Sequence, residues 1–274
     1  MQQKSTAKKA KKSSPKIELV KKPYLKGNVF SPRILKTGLK LLAYELLFVF
    51  LNLLLGSALS FEGSLFLRIA TNALLVAACA AIVYMDGARA GDADVAFAEI
   101  AYGRKESGKE ITSGDLDRCY HPGKGFATVA AGTCIIFIIA VVYALIAKKQ
   151  VYTLQALPSW VSAFSSQQEI TLPLQYYNTP YSMQLVDVLR IIVRACVYPF
   201  VNMAGIRNKD ALLLIDRLSP LLILIPHLFY AVGYLQGPRS RAMVHGSIAS
   251  NTRKKLRRDK REQKARQEKT NQLI

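Results

Sequence analysis

The chain has 274 residues, 51% of them hydrophobic, and a formal net charge of +20. That charge sits at the ends: residues 1–40 hold twelve Lys/Arg against Glu18, and residues 236–274 hold twelve against Asp259, Glu262 and Glu268, while the middle is neutral. Long apolar runs confined to the neutral middle exclude a soluble domain pair, and four scattered cysteines exclude a disulfide-stapled scaffold.

Residues 1–40 are rich in Lys, poor in apolar residues until Ile17, and broken by Pro15, Pro23 and Pro32, which predicts a disordered tail. Ser31 before Pro32 is a helix-start signal, with Lys36 and Lys40 placed at headgroup level. A span needs roughly 20 mainly apolar residues. Four runs qualify: Leu41–Ser60, Leu65–Met85, Phe126–Ala147 and Ala211–Leu235. The first begins too far into the chain for an ordinary signal peptide. The short turn Phe61–Ser64 predicts that the first two form a hairpin over 41–85. Ala78, Ala80 and Ala81 predict a face where helix backbones come close.

Residues 86–125 predict a loop with short helices. Asp92-Ala93-Asp94 opens one that runs to Tyr102 and stops at Gly103; Thr112 opens a second; His121-Pro122-Gly123 turns into the third span, 126–147. Residues 148–210 predict an extracytoplasmic segment. Over 150–183 it is aromatic and Pro-rich, with Trp160, Tyr176 and Tyr177 suited to a membrane interface. Within 183–201, Asp187, Arg190 and Arg194 fall at i, i+3 and i+7 and share one helical face. Each charge at mid-membrane costs roughly 2.5–3.5 kcal/mol on insertion scales. A fifth crossing would also carry the basic C-terminal segment to the opposite side. This segment therefore reads as an amphipathic or partly inserted helix. The fourth span, 211–235, contains Pro220 and Pro226, and 236–274 reads as a basic tail, either a solvated helix or disordered.

The expected fold is all-α: a polytopic helical membrane protein with four transmembrane helices plus that amphipathic helix. The basic ends predict a multi-pass cell-membrane protein with both termini cytoplasmic.

Ionisable residues inside spans are the first functional candidates because burying them is costly. They are Glu45, Arg68, Asp216, Arg217 and His227. A rise of about 1.5 Å per residue pairs Glu45 with His227 or Tyr230 in the tail-side half, and Arg68 with Asp216 in the other half. Asp187, Arg190 and Arg194 form the charged face of the amphipathic helix. Cys119, beside Arg118 and near His121, is the one cysteine in an electropositive setting. Asp115 and Asp117 are the acids that a metal would need a third partner to join. No nucleotide loop, zincin motif or nucleophile elbow occurs, so no catalytic residue, metal ligand or cofactor is assigned.

Lys36, Lys40, Arg239, Arg241, Arg253, Lys254, Lys255, Arg257 and Arg258 are the expected contacts for anionic membrane lipid headgroups or a partner. The further partner classes are a cytoplasmic protein, RNA or the ribosome through phosphate contacts, and further copies of the chain. The tails lack the interleaved aromatics of a base-stacking surface. The expected function is a non-enzymatic scaffold or accessory subunit whose basic tails contact anionic lipid or an acidic partner. The alternatives are a small oligomeric transporter or channel using the intramembrane charges, and a membrane-bound enzyme built around the central loop.

Overall fold

The structure, a computed structural model, describes residues 19–56, 64–148, 184–205 and 208–271. The described residues form eight helices: α1 (Pro32–Gly56), α2 (Leu65–Glu106), α3 (Ser113–Arg118), α4 (Pro122–Ile146), α5 (Leu185–Cys196), α6 (Tyr198–Ala204), α7 (Lys209–Leu235) and α8 (Gly237–Asn271). Four of them, α1, α2, α4 and α7, are long and apolar enough to cross a membrane. The chain is an all-helical, multi-pass membrane protein. The expected aromatic interface segment lies outside the described residues.

Each long helix buries one narrow seam. On α1 it is Ile34, Gly38, Leu41, Glu45, Phe48, Asn52 and Gly56, three or four residues apart. Leu39, Leu46, Leu47, Phe50 and Leu54 stay exposed, as lipid-facing side chains should. The seam of α7 follows the same rhythm through Asp216, Ser219, Ile223, His227, Tyr230 and Tyr234. Polar groups thus face inward and leucines outward. This suits a solvent that cannot hydrogen-bond.

Helices α2 and α7 approach closely through glycine. A Cβ on Gly87 would strike the Tyr230 carbonyl, and one on Gly91 the Tyr234 carbonyl. The close face expected at Ala78, Ala80 and Ala81 is displaced: Ala80 is buried, but Ala78 and Ala81 are exposed. The glycines further along allow nearer contact than any alanine.

Two expectations change at the end of the bundle that carries the chain's ends, and a third is narrowed. First, α2 does not stop at its apolar limit but runs on through Asp92, Asp94 and Gly103 to Glu106. Asp94 has tertiary partners and caps nothing, so no break is needed there. Second, residues 19–31 are not a disordered tail but an ordered strap. Its amides bond to three distant segments: Val20 N to Ala242 O (3.3 Å), Leu25 N to Ala98 O (3.2 Å) and Gly27 N to Tyr120 O (3.0 Å). Tyr24 meets Tyr120 edge-on, and Tyr120 stacks on Tyr234 at 5.3 Å. Third, of the two states expected for the basic C-terminal segment, residues 237–271 take the helical one, continuous and leaving the bundle directly from α7. At the local level, Thr112 and Asp115 form a reciprocal capping box on α3, and His121 caps α4 with Pro122 in its first turn.

The segment after residue 183 is neither a span nor a surface helix. Going inward, Arg190 bonds Tyr143 near the end of α4, Arg194 bonds Asp216, and Cys196 reaches Glu45. The chain then turns at Val197, and α6 returns: Asn202 bonds back to Gly56 O and Asn72, and Gly205 lies against Arg68. Together α5 and α6 make a shallow re-entrant hairpin, whose arms bend at Val197 and do not fold back against each other: Val197 N bonds Val193 O and Val201 N bonds Val197 O. The single helix expected over 183–201 is two helices, meeting at Val197 and ending at Ala204. The charges of α5 face the bundle, while Leu185, Val188, Ile191 and Ile192 remain exposed. Partners inside the bundle offset the desolvation that argued against insertion.

Candidate functional site

The tip of the re-entrant hairpin meets the bundle seam at Glu45. The Glu45 carboxyl is 5% exposed, and His227 Nε2 lies 3.6 Å from its Oε2. The other ring nitrogen, Nδ1, lies 3.0 Å from the Ile223 carbonyl oxygen. A carbonyl only accepts, so Nδ1 carries a proton. In a neutral ring Nε2 is then an acceptor, and it faces a carboxyl oxygen. Two acceptors cannot sit together in a dry interior without cost. A proton on Glu45 or on Nε2, or a water between them from the adjoining cavity, would relieve this clash, so the geometry sets a buried acid beside a buried base at 3.6 Å.

The surroundings are small and polar. A cavity of about 30 Å³ adjoins Glu45 and is lined in part by Asn52, Cys79, Cys196 and Pro199. That is room for a water molecule. Asn52 Oδ1 and His227 Nε2 are buried without a hydrogen-bond partner among the described residues. Pro226 lies in the cavity wall one residue before His227. Pro220, six residues earlier, withholds the amide that would reach the Asp216 carbonyl; Ser219 Oγ donates to that oxygen instead, at 2.8 Å.

Polar groups continue toward both ends. Toward the start of α2, Asn202 Nδ2 donates to Asn72 Oδ1 at 3.3 Å and Asn72 Nδ2 to Arg68 O at 2.8 Å. Toward the chain ends, Tyr230 sits one turn beyond His227 and lines a second cavity, about 60 Å³, with Ser31, Arg33, Asp94 and Lys124. Asp94 anchors that cavity. Tyr234 Oη donates to its Oδ2 at 2.7 Å, Arg33 Nη1 donates to Oδ1 at 3.3 Å, and Lys124 Nζ lies 3.7 Å away. Lys124, almost wholly buried, also donates to the Asp117 and Cys119 carbonyls at 2.8 and 2.6 Å. From Asn72 to Asp94 is 22 residues of one helix, about 33 Å of rise and thus about the depth of the hydrocarbon layer.

The remaining expected residues fall elsewhere. Arg68 does not pair with Asp216. Asp216 takes a two-pronged bond from Arg194 (Nε 2.9 Å, Nη2 2.7 Å), because the hairpin brings α5 against α7. Arg68 lies by Gly205, its Nε without a partner among the described residues. Arg190 bridges Asp187 at 2.7 Å, and Arg217 is exposed, turned away from its buried neighbour Asp216. Lys36 is exposed, whereas Lys40 bonds Asp86 and lies over the Tyr44 ring. Arg239 is exposed. Arg241 and His245 hold Glu99 at 3.1 and 2.9 Å, and Arg253, Lys254, Lys255, Arg257 and Arg258 stand exposed on α8.

The central segment does not assemble reactive chemistry. Burial pushes the Cys119 thiol above its ordinary range, against the pull of Lys124. His121 spends Nδ1 accepting from the Gly123 amide at 3.1 Å. Asp115 is held below the usual carboxylate range by its bonds from Thr112, and Asp117 accepts from Asn28.

Sequence reasoning missed Asn52, Asn72, Asp94, Lys124 and Asn202. A signal existed for the first two. Asn52 follows Glu45 by seven residues and Asn72 precedes Cys79 by seven, so each pair shares a helical face inside an apolar run. The chain matches no family model, no curated protein and no solved structure.

Proposed function

We propose that this protein moves protons through the membrane, with Glu45 and His227 as the mid-membrane acceptor. One observation carries the reading. A buried carboxyl and a buried imidazole face each other 3.6 Å apart, where a re-entrant hairpin breaks at membrane depth. Irregular backbone at that depth is tolerated where it is buried or lines a cavity, and discontinuous helices of this kind build ion sites in transporters. The two cavities and the buried polar residues on either side supply the approaches. The basic ends put the Asp94–Lys124 cavity on the cytoplasmic side of the cell membrane.

The test is flux. Purified protein is reconstituted into liposomes holding a pH-sensitive dye, and a proton gradient is imposed with potassium and valinomycin to relieve charge build-up. Dye acidification above empty liposomes is expected, falling about a hundredfold in Glu45→Gln, the scale of losing one acid–base group. Flux unchanged by Glu45→Gln, or none from folded protein, would overturn the reading.

A second reading rests on α8. Its 35 residues extend about 52 Å. Its base is clamped by Glu99 and its outer part is lined with exposed Arg and Lys. Such an arm suits a scaffold that docks an acidic cytoplasmic protein. Detergent pull-downs with and without residues 251–274, at low and high salt, test it. Partners retained by the shortened chain would exclude the arm as the dock.

A further inference from the structure

Beside the point where α7 passes into α8, a groove of about 440 Å³ opens between the strap, α2 and the helix junction. Lys21 and Lys22 line it from the strap, Arg239 from α8, and Val95 and Leu235 supply apolar wall. Its one carboxylate, Glu99, is already engaged by Arg241 and His245. Among the described residues no carboxylate pairs with Lys21, Lys22 or Arg239. The groove therefore keeps three uncompensated positive charges.

Its depth is informative. Val95 lies ten residues beyond Met85, where the apolar run of α2 ends, a further rise of about 15 Å. The groove thus opens on the tail side of the hydrocarbon edge, and long basic side chains can extend from it toward the headgroups. Directly below it, α7 presents Leu221, Ile225, Leu228, Val232 and Leu235, all exposed and spaced by three or four residues. This is a continuous apolar stripe that runs from the groove into the hydrocarbon.

We infer that the groove is a binding site for one anionic phospholipid. Lys21, Lys22 and Arg239 hold the phosphate and headgroup, and the acyl chains lie along the α7 stripe. Neither feature alone selects a lipid. A basic groove accepts any phosphate, and an apolar stripe accepts any bilayer lipid. Their continuity, with charge on the tail side of the hydrocarbon edge and grease below it, selects a phospholipid with net negative charge. This inference is independent of the proton reading.

Native mass spectrometry of the full chain in mild detergent tests it, with phosphatidylglycerol and phosphatidylcholine of identical acyl chains as probes. One phosphatidylglycerol per chain is expected, with phosphatidylcholine bound at least about tenfold more weakly. The triple variant Lys21→Gln, Lys22→Gln, Arg239→Gln should lose on the order of a hundredfold in phosphatidylglycerol affinity, from about fivefold per near-surface charge. The strap pair Lys21→Gln, Lys22→Gln, which leaves α8 intact, should lose about twentyfold to thirtyfold. Changing Lys254, Lys255, Arg257 and Arg258 to Gln should leave this site filled. Equal binding of the two lipids, or binding that survives the groove variants and is lost with the α8 variant, overturns the proposal. Displacement of phosphatidylglycerol by inorganic phosphate alone would make this a phosphate site and would also overturn it.

Discussion

Arg194 grips Asp216 with two parallel hydrogen bonds, from Nε at 2.9 Å and Nη2 at 2.7 Å, and the Asp216 side chain is 1% exposed. The contact is what fastens the re-entrant hairpin to α7. Removing one member of a buried pair strands the other charge, at a cost of about 3–5 kcal/mol, whereas replacing both with apolar groups is often neutral. Arg194→Leu is expected to lower the melting temperature sharply in detergent. The double change Arg194→Leu, Asp216→Leu should recover most of the loss. Equal loss in both proteins would show that the pair does not hold the hairpin.

The proton site makes a sharper demand on chemistry than on shape. Glu45→Gln keeps the size of the side chain but cannot lose a proton, so liposome flux should fall about a hundredfold while the fold persists. Glu45→Asp keeps the acid but withdraws it from His227 by one methylene. It should retain more flux than Gln. Equal flux from the Asp and Gln variants would count against a proton residing on this side chain.

The α2–α7 contact depends on the absence of a side chain. Gly87→Val would drive a branched Cβ into the Tyr230 carbonyl, a backbone atom that cannot swing aside. The expected cost is about 1–3 kcal/mol or more, the range for overpacking. Ala78→Val, on an exposed position of the same helix, should be nearly neutral. Thermal unfolding in detergent distinguishes the two.

Acidification should loosen α3. Asp115 lies below the ordinary carboxylate range because Thr112 donates to it, so its folded pKa is depressed relative to the unfolded chain. A depressed acid contributes stability that is fully present above its unfolded value, about 3.9, and is lost as pH falls through the folded value. Hydrogen exchange of the α3 amides should rise as pH drops below about 4, after correction for intrinsic rates. In Asp115→Asn that pH dependence should vanish.

The spans were legible because a run of some 20 apolar residues has few other uses, and the helix starts at Thr112 and Pro122 were legible because capping is local. Partial insertion over 183–201 was one of the expected states, but the bend at Val197 and the return through α6 were not legible. Asp187, Arg190 and Arg194 look too costly to insert until Tyr143 and Asp216 are placed against them, and no spacing rule reveals such distant partners. Asp94 misled for the same reason: beside Asp92 it reads as a cap, while Tyr234, 140 residues away, makes it a buried anchor. Glu45 and His227 could be matched by depth because both lie on helices that span the membrane. Depth matching assigned the wrong partner to Asp216 because it compared the four spans alone and left out the partly inserted α5.

The hairpin also settles a question of parity. It enters and leaves the bundle at the same end, so it adds an even number of traverses: none. Charged and apolar chain can be packed among the spans without changing which side either terminus occupies. Insertion depth and sidedness are thereby uncoupled, and a basic C-terminal helix can share its side with the strap however far the hairpin penetrates.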